Sequence, residues 1–271
     1  MLLLDNKKID LEKFPDGTLH MQLETSPSDI NHKVITWHYE NDAELFALIC
    51  IVKTLRSRYG LQKKIYLNLP YVPHSRMDRV KSDSDVFTLK CFADVINSLN
   101  FELVYVCDPH SSVSAALIDR VCVNNHGWII RHVMYNIADS TLDPDMLLFY
   151  PDEGAMKRYS EMIKAPYCFG IKNRDWATGK ILGLSVVGDP EDIADSNILI
   201  VDDICSRGGT FLHSAKKLKE LGAKDIYLYV THCENTILEG ELLEGDLIKR
   251  LYTTNSIFTK SHPKIEVINL V

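Results

Sequence analysis

The feature that most narrows the fold of this 271-residue chain is an alternation, run through twice, of short apolar stretches with segments long enough for a helix. Val34–His38, Lys64–Leu69 and Leu103–Cys107 are strand-like, and Asp42–Arg58 and Val86–Leu99 lie between them with apolar residues at helical spacing. In the second half Leu147–Tyr150, Tyr167–Ile171, Ile198–Val201 and Ile226–Val230 are interleaved with Glu153–Ile163 and Thr210–Leu221. Strands separated by helix-length crossovers build βαβ units around a parallel sheet. An unbroken run such as Ile198–Val201 suits a strand covered on both faces. Helix signals agree: Asn41-Asp42 and Asp85 stand as N-caps, and Leu221-Gly222 as a stop. The pattern predicts an α/β protein of two domains, each a mainly parallel sheet flanked by helices. The turn-rich stretch Ala138–Asp145 is the expected boundary, giving an N-terminal domain over 1–140 and a C-terminal domain over 141–271.

Composition sets limits on the partners. Thirty Lys and Arg against 37 Asp and Glu give a formal charge of −7, so no global basic field is available to hold a nucleic-acid backbone. Any phosphate ligand must be small and locally held. Uncharged apolar stretches such as Ala47–Val52 and Met146–Tyr150 fall far short of the roughly 18 residues of a membrane span. The Met1–Leu4 run is broken at once by Asp5, so no leader is expected. Seven cysteines, with no CxxC pair and mostly inside apolar segments, read as reduced core thiols of a cytoplasmic protein rather than as a zinc site.

In open α/β sheets ligands gather at the carboxyl ends of strands, and the polar clusters of this chain follow strands. The most specific is Ile198 to Thr210, where an apolar strand leads into Asp202-Asp203, then Ser206-Arg207-Gly208-Gly209-Thr210, then a helix. The glycines allow backbone N–H groups to close on an anion, Ser206 and Thr210 add hydroxyls, and the helix N-terminus adds partial positive charge. That arrangement cradles a phosphomonoester. Two carboxylates beside it can accept hydrogen bonds from the vicinal hydroxyls of a ribose. Arg76 and Arg79 can fork onto phosphates or stack on a purine. His110 and Asp152, each after a strand, suit Mg²⁺ or a phosphate, although each is also a plausible structural cap. Lys172 and Arg174 share a face of an extended segment and can clasp a transferring group. The loop Asp175–Gly179 that follows has the polarity of a lid.

The Ile198–Thr210 segment resembles the phosphoribosyl diphosphate (PRPP) loop of the type I phosphoribosyltransferase fold, and further segments resemble PRPP synthetase, the ribose-phosphate diphosphokinase family, in the same order along the chain. Phe14-Pro15-Asp16-Gly17 is similar to its Phe-x-Asp-Gly element, Arg76-Met77-Asp78-Arg79 to its Arg-Gln-Asp-Arg loop, and Asp108-Pro109-His110 to its Asp-Leu-His segment. Pro151-Asp152-Glu153-Gly154 is similar to its Pro-Asp-x-Gly turn, Lys172-Asn173-Arg174 to the start of its catalytic loop, and Tyr252 to Ile257 to its Val-Thr-Asn-Thr-Ile strand end.

The resemblance implies diphosphoryl transfer from MgATP to ribose 5-phosphate. Lys172, Arg174 and His110 would be catalytic. Asp202, Asp203, Ser206, Arg207, Gly208, Gly209 and Thr210 would hold ribose 5-phosphate. Asp16 (from a neighbouring subunit of a homo-oligomer), Arg76, Asp78, Arg79 and His110 would hold ATP, and His110 and Asp152 would hold Mg²⁺. Thr18 and Met77 stand where the family carries glutamate and glutamine, and the family's Asp-Thr-Ala-Gly-Thr loop is here Ser206–Thr210. Two alternatives remain at this point: a phosphoribosyltransferase that consumes PRPP, and a non-catalytic regulatory subunit of the synthetase type.

Overall fold

The computed structural model describes residues 1–24, 32–124, 126–141, 146–174 and 181–270, the side chains of 172–174, 181–182 and 190 excepted. The chain divides into two compact units, Met1–Asn125 and His126–Val271.

The first unit contains β1 (Leu2–Leu4), β2 (Lys7–Lys8), β3 (Glu12–Lys13), β4 (Leu19–His20), β5 (His32–Trp37), α1 (Ala43–Tyr59), β6 (Lys64–Leu69), α2 (Thr88–Ser98), β7 (Leu103–Cys107), α3 (Ser112–Leu117) and β8 (Val121–Asn124). Its main sheet has the order β2-β1-β5-β6-β7-β8, with β5 through β8 parallel and the short β1 and β2 antiparallel at one edge. Helices form where the sequence places them, with local corrections at their starts. The second helix begins at Thr88 and not beside Asp85, whose carboxylate instead closes the preceding turn by accepting the N–H groups of Lys81 and Ser82. At α1 it is Asn41 that accepts the Ala43 N–H at 3.1 Å, while the Asp42 side chain makes no cap bond. Leu48, Ile51 and Leu55 of α1 and Leu89 and Ala93 of α2 are fully buried with Ile35, Ile65 and Leu67 of the strands. Burying each of these leucines and isoleucines is worth about 1.5–3 kcal/mol.

The second unit contains α4 (Gly127–Thr141), β9 (Leu147–Tyr150), α5 (Glu153–Tyr159), β10 (Tyr167–Arg174), β11 (Ile181–Val187), α6 (Pro190–Ile193), β12 (Ile198–Cys205), α7 (Gly209–Glu220), β13 (Ile226–Cys233), a 3₁₀ turn (Asn235–Glu239), β14 (Arg250–Thr254) and β15 (Ile265–Ile268). Its sheet runs β11-β10-β9-β12-β13-β14-β15, parallel except for β11. Successive residues of a strand face opposite sides, and both sides of this sheet are covered. Ile198 and Ile200 pack with Phe211, Ala215 and Leu218 of α7, whereas Leu199 and Val201 pack with Ile129, Ile130 and Val133 of α4.

That packing explains why the unit division differs from the expected boundary at 140/141. Helix α4 buries its apolar face on β9 and β12, so it belongs with the second sheet, and Ala138–Thr141, read as linker, is its last turn. All seven cysteines are free thiols, with Cys107, Cys168, Cys205 and Cys233 buried and Cys91 exposed. Among the described residues no helix is long and apolar enough to cross a membrane.

Gly170 on β10 lies where a side chain would meet the Leu184 methyl and the Pro151 carbonyl oxygen, each at 2.8 Å. Gly170→Ala therefore forces the Pro151-Asp152 turn to move. Overpacking of this kind costs about 1–3 kcal/mol, and thermal unfolding should show a Tm several degrees below the parent; an unchanged Tm would show that the turn yields freely.

Candidate functional site

The strand that carries the two acids runs further than its apolar residues. β12 stays paired with β13 as far as Cys205 opposite Cys233, so Asp202 and Asp203 sit within the strand. Asp203 is buried, and its Oδ2 lies 2.9 Å from Nη1 of Arg158 on α5. Asp202 is half-buried, and its Oδ1 accepts the Asp203 N–H at 2.9 Å. Burial, followed by the charges of Asp203 and Asp152, holds the Asp202 carboxyl well above the usual carboxylate range. The carboxyl ends of β9 and β12 thus share an acidic cluster with Arg158 at its margin, a residue that sequence reading did not single out.

The loop beyond the acids is shaped by one glycine. Gly208 has φ +80° and ψ 8° and is the N-cap of α7. A Cβ there would come within 2.8 Å of Leu242, so both conformation and space demand glycine. A glycine N-cap brings no side-chain acceptor, leaving the first amides of α7 and the positive end of its dipole to an incoming anion. On the open side, a Cβ on Gly209 would meet nothing within 4 Å. Thr210 is half-buried in the first turn of α7. The Ser206 hydroxyl donates to Glu234 Oε2 at 2.6 Å, and Arg207 Nη2 donates to Glu239 Oε2 at 2.9 Å. Both glutamates follow the end of β13, where ligand loops of such sheets gather, and that placement is the signal by which the sequence could have exposed them.

In the first unit, the loops after β6 and β7 leave neighbouring parallel strands in the register Leu69 to Val106. They bring Asp78 and His110 together. Arg79 donates to the Asp78 carboxylate from Nε and Nη2 at 2.8 and 3.2 Å. Those bonds, helped by the Ser111 hydroxyl and the charge of His110, lower the Asp78 carboxyl below its ordinary range. Arg76 is exposed on the same loop. Asp108 is buried at φ +39°, an uncommon conformation for a residue with a side chain, at the point where β7 turns toward His110. Asp16 lies apart from these, at the tip of the β3–β4 hairpin. Its Oδ1 accepts the N–H and hydroxyl of Thr18 at 2.9 and 2.6 Å, which lowers its carboxyl.

Asp152 caps α5 by accepting the N–H groups of Gly154 and Ala155 at 3.0 and 3.1 Å with Oδ1. The backbone of Lys172 and Arg174 lies on β10, with a register shift against β11 between Asn173 and Arg174; the side chains of both, and the whole loop 175–180, lie outside the described residues. Among the described residues, no group of three or more His, Cys, Asp and Glu side chains is placed to hold a metal ion.

Two α/β units, the second with an acid-bearing strand turning through glycines into a helix, define a protein of the phosphoribosyltransferase-like fold. The crystal structure of phosphoribosylpyrophosphate synthetase from Mycobacterium smegmatis matches it with a TM-score of 0.76 at 19% identity, over 97% of this chain and 86% of the other. The family model of the phosphoribosyl synthetase-associated domain matches residues 178–270. Ribose-phosphate pyrophosphokinase from Saccharolobus solfataricus is 27% identical over 92% of this chain and 84% of its own. The enzyme of that name from Pyrococcus abyssi is 26% identical over 97% and 88%. Along nearly its whole length the chain is thus similar to proteins named ribose-phosphate pyrophosphokinase or phosphoribosylpyrophosphate synthetase.

Because the folded state raises the Asp202 carboxyl above its unfolded value, protonation favours folding, and wild-type stability falls as pH rises through the raised value. Asp202→Asn removes that penalty. Its Tm should exceed the parent's at pH 7, with the difference shrinking toward pH 4; a lower Tm at pH 7 would mean that Asp202 is held by stabilising contacts instead. Arg158→Met should act in the opposite direction. Stranding the buried Asp203 carboxylate costs about 3 kcal/mol, to be read from the midpoint of urea unfolding at pH 7.

Proposed function

We propose that the chain is a Mg²⁺-dependent ribose-phosphate diphosphokinase, making PRPP and AMP from ATP and ribose 5-phosphate. The observation that carries this reading is the end of β12, where an acid-bearing strand turns at left-handed Gly208 into the uncapped N-terminus of α7. The 5-phosphate sits on the amides of Gly208, Gly209 and Thr210, with Ser206 and Arg207 beside it. Asp202 accepts from the ribose hydroxyls, and Asp203, anchored by Arg158, sets the charge around it.

Arg76, Asp78, Arg79 and His110 receive ATP on the first unit, with Asp16 supplied by a neighbouring copy in a homo-oligomer, as the family resemblance implies. Each unit carries one candidate group for Mg²⁺, His110 on the first and Asp152 on the second. Their donor chemistry fits a cation that keeps most of its water and takes its remaining ligands from phosphates, and the repulsion among Asp152, Asp202 and Asp203 is what a nearby cation would relieve. When bound, Mg²⁺ neutralises charge on the phosphate oxygens. Diphosphoryl transfer through a loose transition state needs alignment and charge neutralisation more than covalent help. Lys172 and Arg174 supply the cations that meet the transferring group, and the 1-hydroxyl of the sugar is aligned by the hold on its 5-phosphate and 2,3-hydroxyls.

Purified protein incubated with MgATP and ribose 5-phosphate should release AMP and PRPP in equal amounts. Binding of ribose 5-phosphate without AMP release would instead favour a non-catalytic subunit. Lys172→Ala should lower kcat about 10²-fold or more, the scale for removing one transition-state donor, while ribose 5-phosphate still binds; a near-parental rate would remove Lys172 from the mechanism.

A further inference from the structure

The two side chains that the loop after β12 offers to a phosphate are both held by carboxylates from one short segment of the same chain. Glu234 takes the Ser206 hydroxyl at 2.6 Å, and Glu239 takes the Arg207 guanidinium at 2.9 Å. The segment that delivers them is firmly placed. The Glu234 N–H donates to the Cys205 carbonyl at 2.8 Å, the Thr236 hydroxyl donates to the same Glu234 oxygen at 3.1 Å, and Asn235 and Thr259 exchange two hydrogen bonds at 2.9 and 3.0 Å. Ile237 and Leu242 pack directly against Gly208, and a Cβ on Gly240 would overlap the Arg207 carbonyl oxygen. The 3₁₀ turn after β13 is therefore the floor of the phosphate loop, and two anions rise from it to the loop's own donors.

We propose that Glu234 and Glu239 are positioning residues that set the affinity of this loop by competing, as built-in anions, with the ligand's phosphate for Ser206 and Arg207. The inference rests on the ribose-phosphate reading of the loop. The two contacts differ in strength. Arg207 and Glu239 are 70% and 59% exposed, and a pair so solvated is readily exchanged, so Glu239 gives up Arg207 to a phosphate dianion. The Ser206–Glu234 bond is part-buried and charge-assisted, so it resists displacement and directs the Ser206 proton away from the ligand. Binding is consequently weaker than the loop's donors alone would make it, and release is correspondingly easier.

Calorimetric titration of the full chain with ribose 5-phosphate, and separately with inorganic phosphate, tests this. Glu239→Gln should tighten both ligands about threefold to fivefold, the scale of releasing an exposed ion pair, and Glu234→Gln should tighten them further in combination. In an Arg207→Met background Glu239→Gln should have no effect, whereas simple removal of a nearby negative charge would tighten binding there as well. In turnover, the KM for ribose 5-phosphate should fall in Glu239→Gln while the KM for MgATP stays put. Unchanged or weaker binding in Glu239→Gln, or an equal gain in the Arg207→Met background, overturns the proposal while leaving the ribose-phosphate reading intact. A parent protein that binds neither ligand overturns that reading, and the proposal with it.

Discussion

The structure of the second unit depends on one strand being buried on both faces while ending in two carboxylates. Ile198 to Val201 bury completely, alternate residues going to opposite cores, and this fixes the strand's register against β9 and β13. With the register fixed, Asp202 and Asp203 have no freedom to slide out to solvent. One is forced toward α5, where Arg158 meets it, and the other is held half-buried near Asp152. The apolar burial thus supplies the free energy against which an unfavourable concentration of negative charge is maintained, as functional sites commonly require.

Charge around the neighbouring loop follows a related logic. A helix N-terminus with a glycine cap attracts anions in general, and the chain places two of its own there, each bonded to one loop donor. In the first unit the corresponding loops are tied by local pairs, Arg79 to Asp78 and Thr18 to Asp16. Of these carboxylates, Asp78 and Glu239 are offset by Arg79 and Arg207, whereas Asp16 and Glu234 are held by hydroxyls and count toward the net charge of −7.

The parallel-sheet architecture, the positions of most strands and helices, and the glycine loop were legible because period-two and period-3.6 patterns and Gly-Gly before a helix are local signals. The short edge strands β1 to β4, β11 and β15 and the helix α4 were not, since their apolar residues are few or follow no linker that marks them. Helix α4 in particular was split by a turn-rich reading of residues 138–145, although its assignment rests on contacts between Ile129, Ile130 or Val133 and strands far along the chain. Asp85 shows the same limit on a small scale: an acid before a helical pattern reads as a cap, and whether it bonds forward or back depends on the turn it sits in.

The sequence by itself determined the two-part α/β plan, the resemblance to the PRPP synthetase motifs, and the residue types at the ends of the strands, because these follow from local periodicity and from short motifs whose chemistry is contained in consecutive residues. Only the tertiary structure decided that Asp203 is committed to Arg158, that Asp78 meets His110, and that Glu234 and Glu239 hold Ser206 and Arg207. Each of these pairs joins residues separated by at least 28 positions. No periodicity links such residues. They meet because parallel strands, brought side by side by burial of their apolar faces, deliver their loops to the same edge of the sheet.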